Sequence, residues 1–133
     1  MLLFALGKGK SLMTIDASSV KNIFSSLAQT SVNGLELKEL SEILLDHPNL
    51  TIERIVSNGQ HSPQGFWYDQ AKDEWVILLT GKAELEFEDS VINLQAGDYI
   101  FIPAHHKHRV NSTSSNPNCI WLAIHGDLNL QIN

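Results

Sequence analysis

The sequence contains one cysteine and no long apolar run, and each scarcity excludes a class of protein. A single cysteine, Cys119, excludes an internal disulfide framework and a cysteine-based zinc site, which is typical of proteins in a reducing cytoplasm. Cys119 lies in an apolar stretch, so we interpret it as a core residue rather than a nucleophile. The apolar residues 2–6 form too short a run for a membrane span or signal segment. We therefore expect a cytoplasmic protein.

Positive charge is also scarce. Nine Lys and Arg residues face 15 Asp and Glu residues, which gives a formal net charge of −6 with no basic stripe. This balance disfavours nucleic acid and anionic membranes as partners. The 133 residues suffice for one domain, and the 43% hydrophobic content argues against disorder. We expect a globular protein with a small-molecule ligand.

The first part of the chain, residues 1–34, is predicted to be an extension with a short helix at 17–27. Asp16 is a suitable capping residue, and four apolar residues follow at helical spacing: Val20, Ile23, Phe24 and Leu27. We expect this helix to pack on the main domain. Met13 is an alternative start residue, which would make residues 1–12 an added segment.

The remaining residues, 35–133, carry the signals of an all-β domain. Residues 35–45 are ambiguous between helix and strand, and we favour a hairpin with the alternating strand 50–56 across the turn at 46–49. The stretch 75–79 is short and wholly apolar, as in a buried strand. Further strands are predicted at 83–88, 91–94, 99–102 and 119–124. Many short strands separated by turns indicate a sandwich or barrel.

Two stretches carry a family pattern. The first is Asp73-Glu-Trp-Val-Ile-Leu-Leu-Thr-Gly81, and the second is Gly97-Asp-Tyr-Ile-Phe-Ile-Pro-Ala-His-His-Lys-His108. The spacings from Glu74 to Gly81 and from Gly97 through Pro103 to His108 resemble the paired motifs of the cupin superfamily. The resemblance covers about residues 55–126 and implies a double-stranded β-helix, the cupin jelly-roll barrel. Cupins of this kind commonly form homodimers, so we expect one here.

The resemblance also implies a metal site inside the barrel. Glu74 and His108 match the family's glutamate and second-motif histidine, whereas the two histidines of the first motif fall on Trp67 and Asp69. We therefore predict that Asp69, Glu74 and His108 bind one divalent transition metal, namely Fe, Mn, Ni or Zn. Five further residues are expected around this pocket: His61, Trp67, His106, Trp121 and His125.

Three functions stay open at this point. The domain is a metal-dependent enzyme acting on a small polar molecule, a non-catalytic small-molecule-binding module, or a structural dimer with a degenerate pocket. Loss of the two family histidines favours the second and third. Retention of Glu74 and His108 argues against complete degeneration. The fold alone does not choose among them.

Overall fold

The computed structural model describes residues 3–5, 12–25 and 39–128, and their regular structure is almost entirely β. Two three-residue strands, β1 (Leu3–Ala5) and β2 (Leu12–Thr14), pair as a small antiparallel ribbon. The boundary expected between residues 34 and 35 lies outside the described residues. No helix among the described residues is long and apolar enough to cross a membrane.

The helix predicted at residues 17–27 is wrong as far as the structure describes it. Only Ala17–Ser19 form a single 3₁₀ turn, which Asp16 caps with its side chain. A short helix needs a packed apolar face to be stable, and Val20 is 75% exposed. The carbonyls of Ile23 and Ser25 instead accept hydrogen bonds from Arg54, each at 2.9 Å. This buried arginine fastens the segment to the sheet. Residues 26 and 27 lie outside the described residues.

The main body begins with a hairpin, as predicted. Strand β3 (Leu40–His47) pairs antiparallel with β4 (Leu50–Ser57), and a shift in register leaves Leu44 without a partner. The turn Pro48–Asn49 joins the two strands. Proline and asparagine favour this position because one fixes φ and the other tolerates turn geometry.

Six more strands complete two antiparallel sheets. They are β5 (Asp73–Thr80), β6 (Lys82–Phe87), β7 (Val91–Gln95), β8 (Tyr99–Ile102), β9 (His108–Thr113) and β10 (Cys119–Gly126). The larger sheet has the order β3-β4-β10-β5-β8, and the smaller has the order β7-β6-β9. The expected all-β fold is therefore confirmed as a two-sheet sandwich.

Alternation along the strands builds the core between the sheets. In β5, Glu74, Val76 and Leu78 point inward, and in β6 the inward set is Ala83, Leu85 and Phe87. The five apolar side chains among them form one cluster with further buried residues of both sheets: Leu94, Ile102, Cys119, Trp121 and Ala123. Cys119 is fully buried, as expected of a core residue. Glu74 is the exception in an otherwise apolar row, and it marks where the core opens into a cavity.

Candidate functional site

The cavity lies at one end of the space between the sheets and has a volume of about 170 Å³. One part of its wall is apolar and consists of Ile55, Val76, Leu85, Ile102, Val110 and Trp121. The other part is polar and consists of Glu39, Glu53, Tyr68, Gln70, Glu74, His108 and His125. This mixture of a continuous apolar wall and a few converging polar groups is typical of small-molecule sites.

Glu74 is the central polar group. It is 8% exposed, and its two carboxylate oxygens face different imidazoles. Oε1 lies 3.6 Å from Nε2 of His108, and Oε2 lies 3.7 Å from Nε2 of His125. The strand register explains the second contact, because His125 pairs directly with Glu74 across β10 and β5. A buried carboxylate is costly unless it is paired, and these two imidazoles supply the pairing.

Glu53 extends this row. Its Oε2 lies 3.7 Å from Nε2 of His125, the nitrogen that Glu74 also faces. Glu53 belongs to β4 and is a diagonal neighbour of His125 in β10, since the register pairs it with Ala123. The result is a row of alternating carboxylates and imidazoles, Glu53–His125–Glu74–His108, in the polar part of the cavity wall.

His108 is the most constrained of these groups. It is 5% exposed, and its Nδ1–H donates to the carbonyl of His106 at 2.9 Å, which turns Nε2 toward Glu74. Its ring lies between those of Tyr68 and Phe87, at centroid distances of 5.4 and 6.0 Å. Burial by itself would lower the pKa of His108. The Glu74 carboxylate and the His106 carbonyl outweigh burial and hold that pKa above its ordinary value.

Tyr68 is held beside His108 by the backbone. Its N–H donates to the carbonyl of His108 at 2.7 Å, and the N–H of His108 donates back at 3.2 Å. Burial, followed by the charges of Glu39, Glu74 and Glu53, raises the pKa of the Tyr68 hydroxyl. Tyr68 therefore stays protonated at neutral pH and presents a hydrogen-bond donor to the cavity.

Asp69, predicted as a metal ligand, and Trp67, predicted as a pocket residue, do not line the cavity. Asp69 is exposed, and its carboxylate lies 2.8 Å from Nδ1 of His105 on the outside of the molecule. Tyr68 and Gln70 take the inward positions instead. The physical reason is backbone pairing: Tyr68 pairs with His108 through two backbone hydrogen bonds. Neighbouring residues of an extended segment face opposite sides, so Trp67 and Asp69 point away from the cavity that Tyr68 lines.

The other predicted residues divide between the cavity and its surroundings. Trp121 and His125 line the cavity. His61 is exposed and lines an adjoining cavity of about 250 Å³, which shares Glu39, Tyr68 and Val110 with the first. His106 is exposed and contributes its carbonyl to His108, while its ring meets Phe87 edge-on. Sequence reasoning missed Glu39, Glu53 and Gln70, and no local pattern in the sequence identifies them.

The donors fit a divalent transition metal by chemistry but are paired with one another. Two imidazoles and a carboxylate, from His108, His125 and Glu74, are a donor set that such ions accept. Within the part of the chain that the structure describes, however, no three His, Cys, Asp or Glu side chains surround a common point. Glu74 turns one oxygen to each imidazole, so both would have to reorient to share one ion.

Comparisons with known proteins agree on the fold. A family model described as a cupin domain matches residues 55–125. A structure from Ralstonia eutropha, provisionally named a mannose-6-phosphate isomerase, is 39% identical, with a TM-score of 0.72 over 81% of this chain and 97% of that chain.

Two more distant structures share the fold alone. A cupin superfamily protein from Desulfitobacterium hafniense is 22% identical, with a TM-score of 0.60 over 71% of this chain and 83% of that one. The protein KdgF from a Halomonas species is 18% identical, with a TM-score of 0.56 over 74% and 85% of the respective chains. No curated protein matches the chain significantly.

Proposed function

The chain belongs to the cupin family, and on that premise we propose that its cavity binds one divalent transition metal ion together with a small polar molecule. The two sheets then correspond to a double-stranded β-helix with the site at one end. The observation that carries the proposal is the placement of His108 and His125 on either side of the buried Glu74 carboxylate.

Glu74, His108 and His125 would hold the metal. When bound, such an ion acts as a Lewis acid that polarises an oxygen of the small molecule. The bond from Nδ1 of His108 to the His106 carbonyl leaves Nε2 free to serve as the ligand atom. Glu53 lies 3.7 Å from Nε2 of His125, so this contact would have to be given up for Nε2 to serve as a ligand atom.

The cavity limits the size and charge of the small molecule. A volume of about 170 Å³ corresponds to roughly six water molecules at about 30 Å³ each. The provisional name of the Ralstonia protein refers to a hexose phosphate, which is much larger. No lysine or arginine among the described residues lines this cavity to neutralise a phosphate group. We therefore do not extend that activity to this chain.

A second candidate is a binding module without metal. It is favoured by the pairing of each Glu74 oxygen with an imidazole, because a proton on His108 then performs the charge compensation that a metal would supply. In this case Glu74 and His108 fix the orientation of the ligand, and no metal chemistry takes place. A structural dimer whose pocket has no ligand is the remaining alternative.

Metal uptake distinguishes the two candidates. We expect the purified protein, stripped with a chelator and incubated in turn with Fe(II), Mn(II), Ni(II) and Zn(II), to retain one of them through dialysis. His108→Ala and Glu74→Ala should each lower metal affinity by at least about 100-fold, because each removes a ligand. Elemental analysis measures the bound metal, and circular dichroism checks that the β fold is intact.

Two variants serve as controls for this experiment. Glu86 pairs with Arg109 on the outer face, so Glu86→Ala should bind metal normally. Asp69→Ala tests the ligand set predicted from sequence, and we expect it also to bind normally because Asp69 faces His105. A wild-type protein that stays metal-free with all four ions would reject the first candidate in favour of the second.

A further inference from the structure

We infer that the small molecule bound in this cavity is an organic cation, such as a short primary amine, with its ammonium group beside Glu39 and Glu53. The inference rests on the proposed function only in requiring that a small polar molecule enters the cavity. It does not require the metal.

The charges on the cavity wall favour a cation. Three carboxylates face the space, from Glu39, Glu53 and Glu74, against two imidazoles and no lysine or arginine among the described lining residues. His108 and His125 both face Glu74, and His125 lies equally close to Glu53, so two imidazoles are shared among three carboxylates. An anionic ligand would have to approach this excess of carboxylates. Like charges at short range in a partly desolvated site repel strongly.

A chain of hydrogen bonds holds the carboxylate of Glu39 in place. The indole N–H of Trp121 donates to the Ser57 hydroxyl at 3.2 Å, and that hydroxyl donates to Oε2 of Glu39 at 2.9 Å. Ser57 and Trp121 are buried and belong to the packed core, whereas Glu39 is exposed to solvent. It uses one carboxylate oxygen. Within the described part of the chain, Glu39 has no cationic partner, and the second oxygen is available to a ligand.

Tyr68 lines the same cavity as the three carboxylates. Burial, and then the charges of Glu39, Glu74 and Glu53, raises the pKa of its hydroxyl. Tyr68 also lines the adjoining cavity, and Trp121 lines the first. Aromatic faces attract organic cations, and the attraction grows as the site is desolvated. The wall thus combines carboxylates with aromatic rings, the combination that binds ammonium groups.

The apolar part of the cavity wall determines which hydrocarbon group the ligand can carry. The apolar side chains of Ile55, Val76, Leu85 and Val110 face the space opposite the polar groups. A cavity of about 170 Å³ accommodates roughly six to eight non-hydrogen atoms. A short branched or cyclic amine has this size, and its hydrocarbon part can cover the apolar wall while its charge stays with the carboxylates.

Three small molecules of the same shape test which ligand charge the cavity prefers. The protein is titrated by calorimetry with 3-methylbutylamine, 3-methylbutanoate and 3-methylbutan-1-ol, each with EDTA present and again with Zn(II). We expect the amine to bind at least about tenfold more tightly than the other two. Equal or tighter binding of the carboxylate or the alcohol, or no binding of the amine, would overturn the inference.

Charge-neutral variants locate the ammonium site. Glu39→Gln and Glu53→Gln should each weaken amine binding by about tenfold, because each removes one charge-assisted hydrogen bond. Glu88→Gln is the matched control, since Glu88 is exposed and lies outside this cavity. If both inner variants bind the amine as the wild type does, the site is not where we infer it.

The outcomes also separate this inference from the metal proposal. Preference for the amine in EDTA, in a protein that takes up no metal, supports the inference and rejects the metal. Metal uptake with no preference for the amine supports the metal proposal and rejects the inference.

Discussion

Glu74 occupies a position where an apolar side chain would cost nothing. It continues the inward row of Val76 and Leu78, yet it is a carboxylate and is almost fully buried. Removing one partner from such a buried group is expected to be far more damaging than removing a surface charge. The two imidazoles are therefore part of the stability of the fold as well as of the site, and function and folding are coupled at this residue.

The proton on His108 should make stability depend on pH. The folded-state pKa of His108 is raised above its ordinary value of 6.5, so the folded protein binds this proton more tightly than the unfolded protein does. This contribution to the free energy of unfolding is fully present below pH 6.5 and is lost as pH rises through the raised pKa. Urea denaturation of the metal-free protein from about pH 5 to pH 9 should show this loss.

His108→Gln provides the comparison for this measurement. Glutamine cannot titrate, so the difference in stability between wild type and variant should shrink as pH rises across the same window. Parallel curves for the two proteins would contradict a raised pKa for His108. A chemical-shift titration of the His108 ring measures the pKa directly.

The site could be predicted from sequence only in part, and the reason is local. Glu74 and His108 are reached by motif spacing, because each stands at a fixed distance from a turn glycine, Gly81 or Gly97. Tyr68 and Gln70 lie between strands, where no alternation of apolar residues fixes which side chains face inward. A shift of one residue there selects Trp67 and Asp69 instead.

At the scale of elements, the strands are the part that the sequence predicts well. Apolar runs and turn residues locate β4 to β8 and β10 to within two residues of their ends. The same reasoning fails for residues 17–25, where apolar residues recur at helical spacing without a surface to cover them. Long-range contacts, such as the bonds from Arg54 to the carbonyls of Ile23 and Ser25, decide that segment.

Two turn glycines provide a matched test of the strand connections. Gly81 and Gly97 both have positive φ, 85° and 95°, which favours glycine. A Cβ at Gly81 would lie 2.7 Å from Sγ of Cys119 and 2.8 Å from the carbonyl of Asn118, whereas nothing lies within 4 Å at Gly97. The two positions share a positive φ, but only Gly97 has room for a Cβ.

We expect Gly97→Ala to lower the free energy of unfolding by about 1 to 2 kcal/mol, the cost of the left-handed backbone alone. Gly81→Ala should cost at least about 2 kcal/mol more, because the core around Cys119 must also shift. Urea denaturation of both variants measures the difference. Equal losses at the two positions would mean that the turn at Gly81 relaxes freely.

For the molecule as a whole, we propose that two copies associate. Strand β3 is the edge of the larger sheet, and Ile43 and Leu45 on it are 58% and 49% exposed. The described N-terminal segment adds Met13 and Phe24, which are also about half exposed. An open edge with exposed apolar side chains is a surface that proteins usually cover.

Light scattering tests this proposal. We expect the mass of a dimer at tens of micromolar, and Ile43→Lys combined with Leu45→Lys should shift it to that of a monomer. Val91→Lys is the control, because Val91 is similarly exposed on β7, in the other sheet. A wild-type protein that is monomeric at this concentration would count decisively against association.

The complete burial of Cys119 makes its thiol a probe of how often the structure opens. Its Sγ donates to the carbonyl of Lys82 in the opposite sheet at 3.2 Å, and none of its surface reaches solvent. A thiol reagent can therefore react only during moments when the two sheets part. The labelling rate therefore measures how often the sheets separate. A ligand that contacts both sheets should lower the labelling rate without contacting the sulfur.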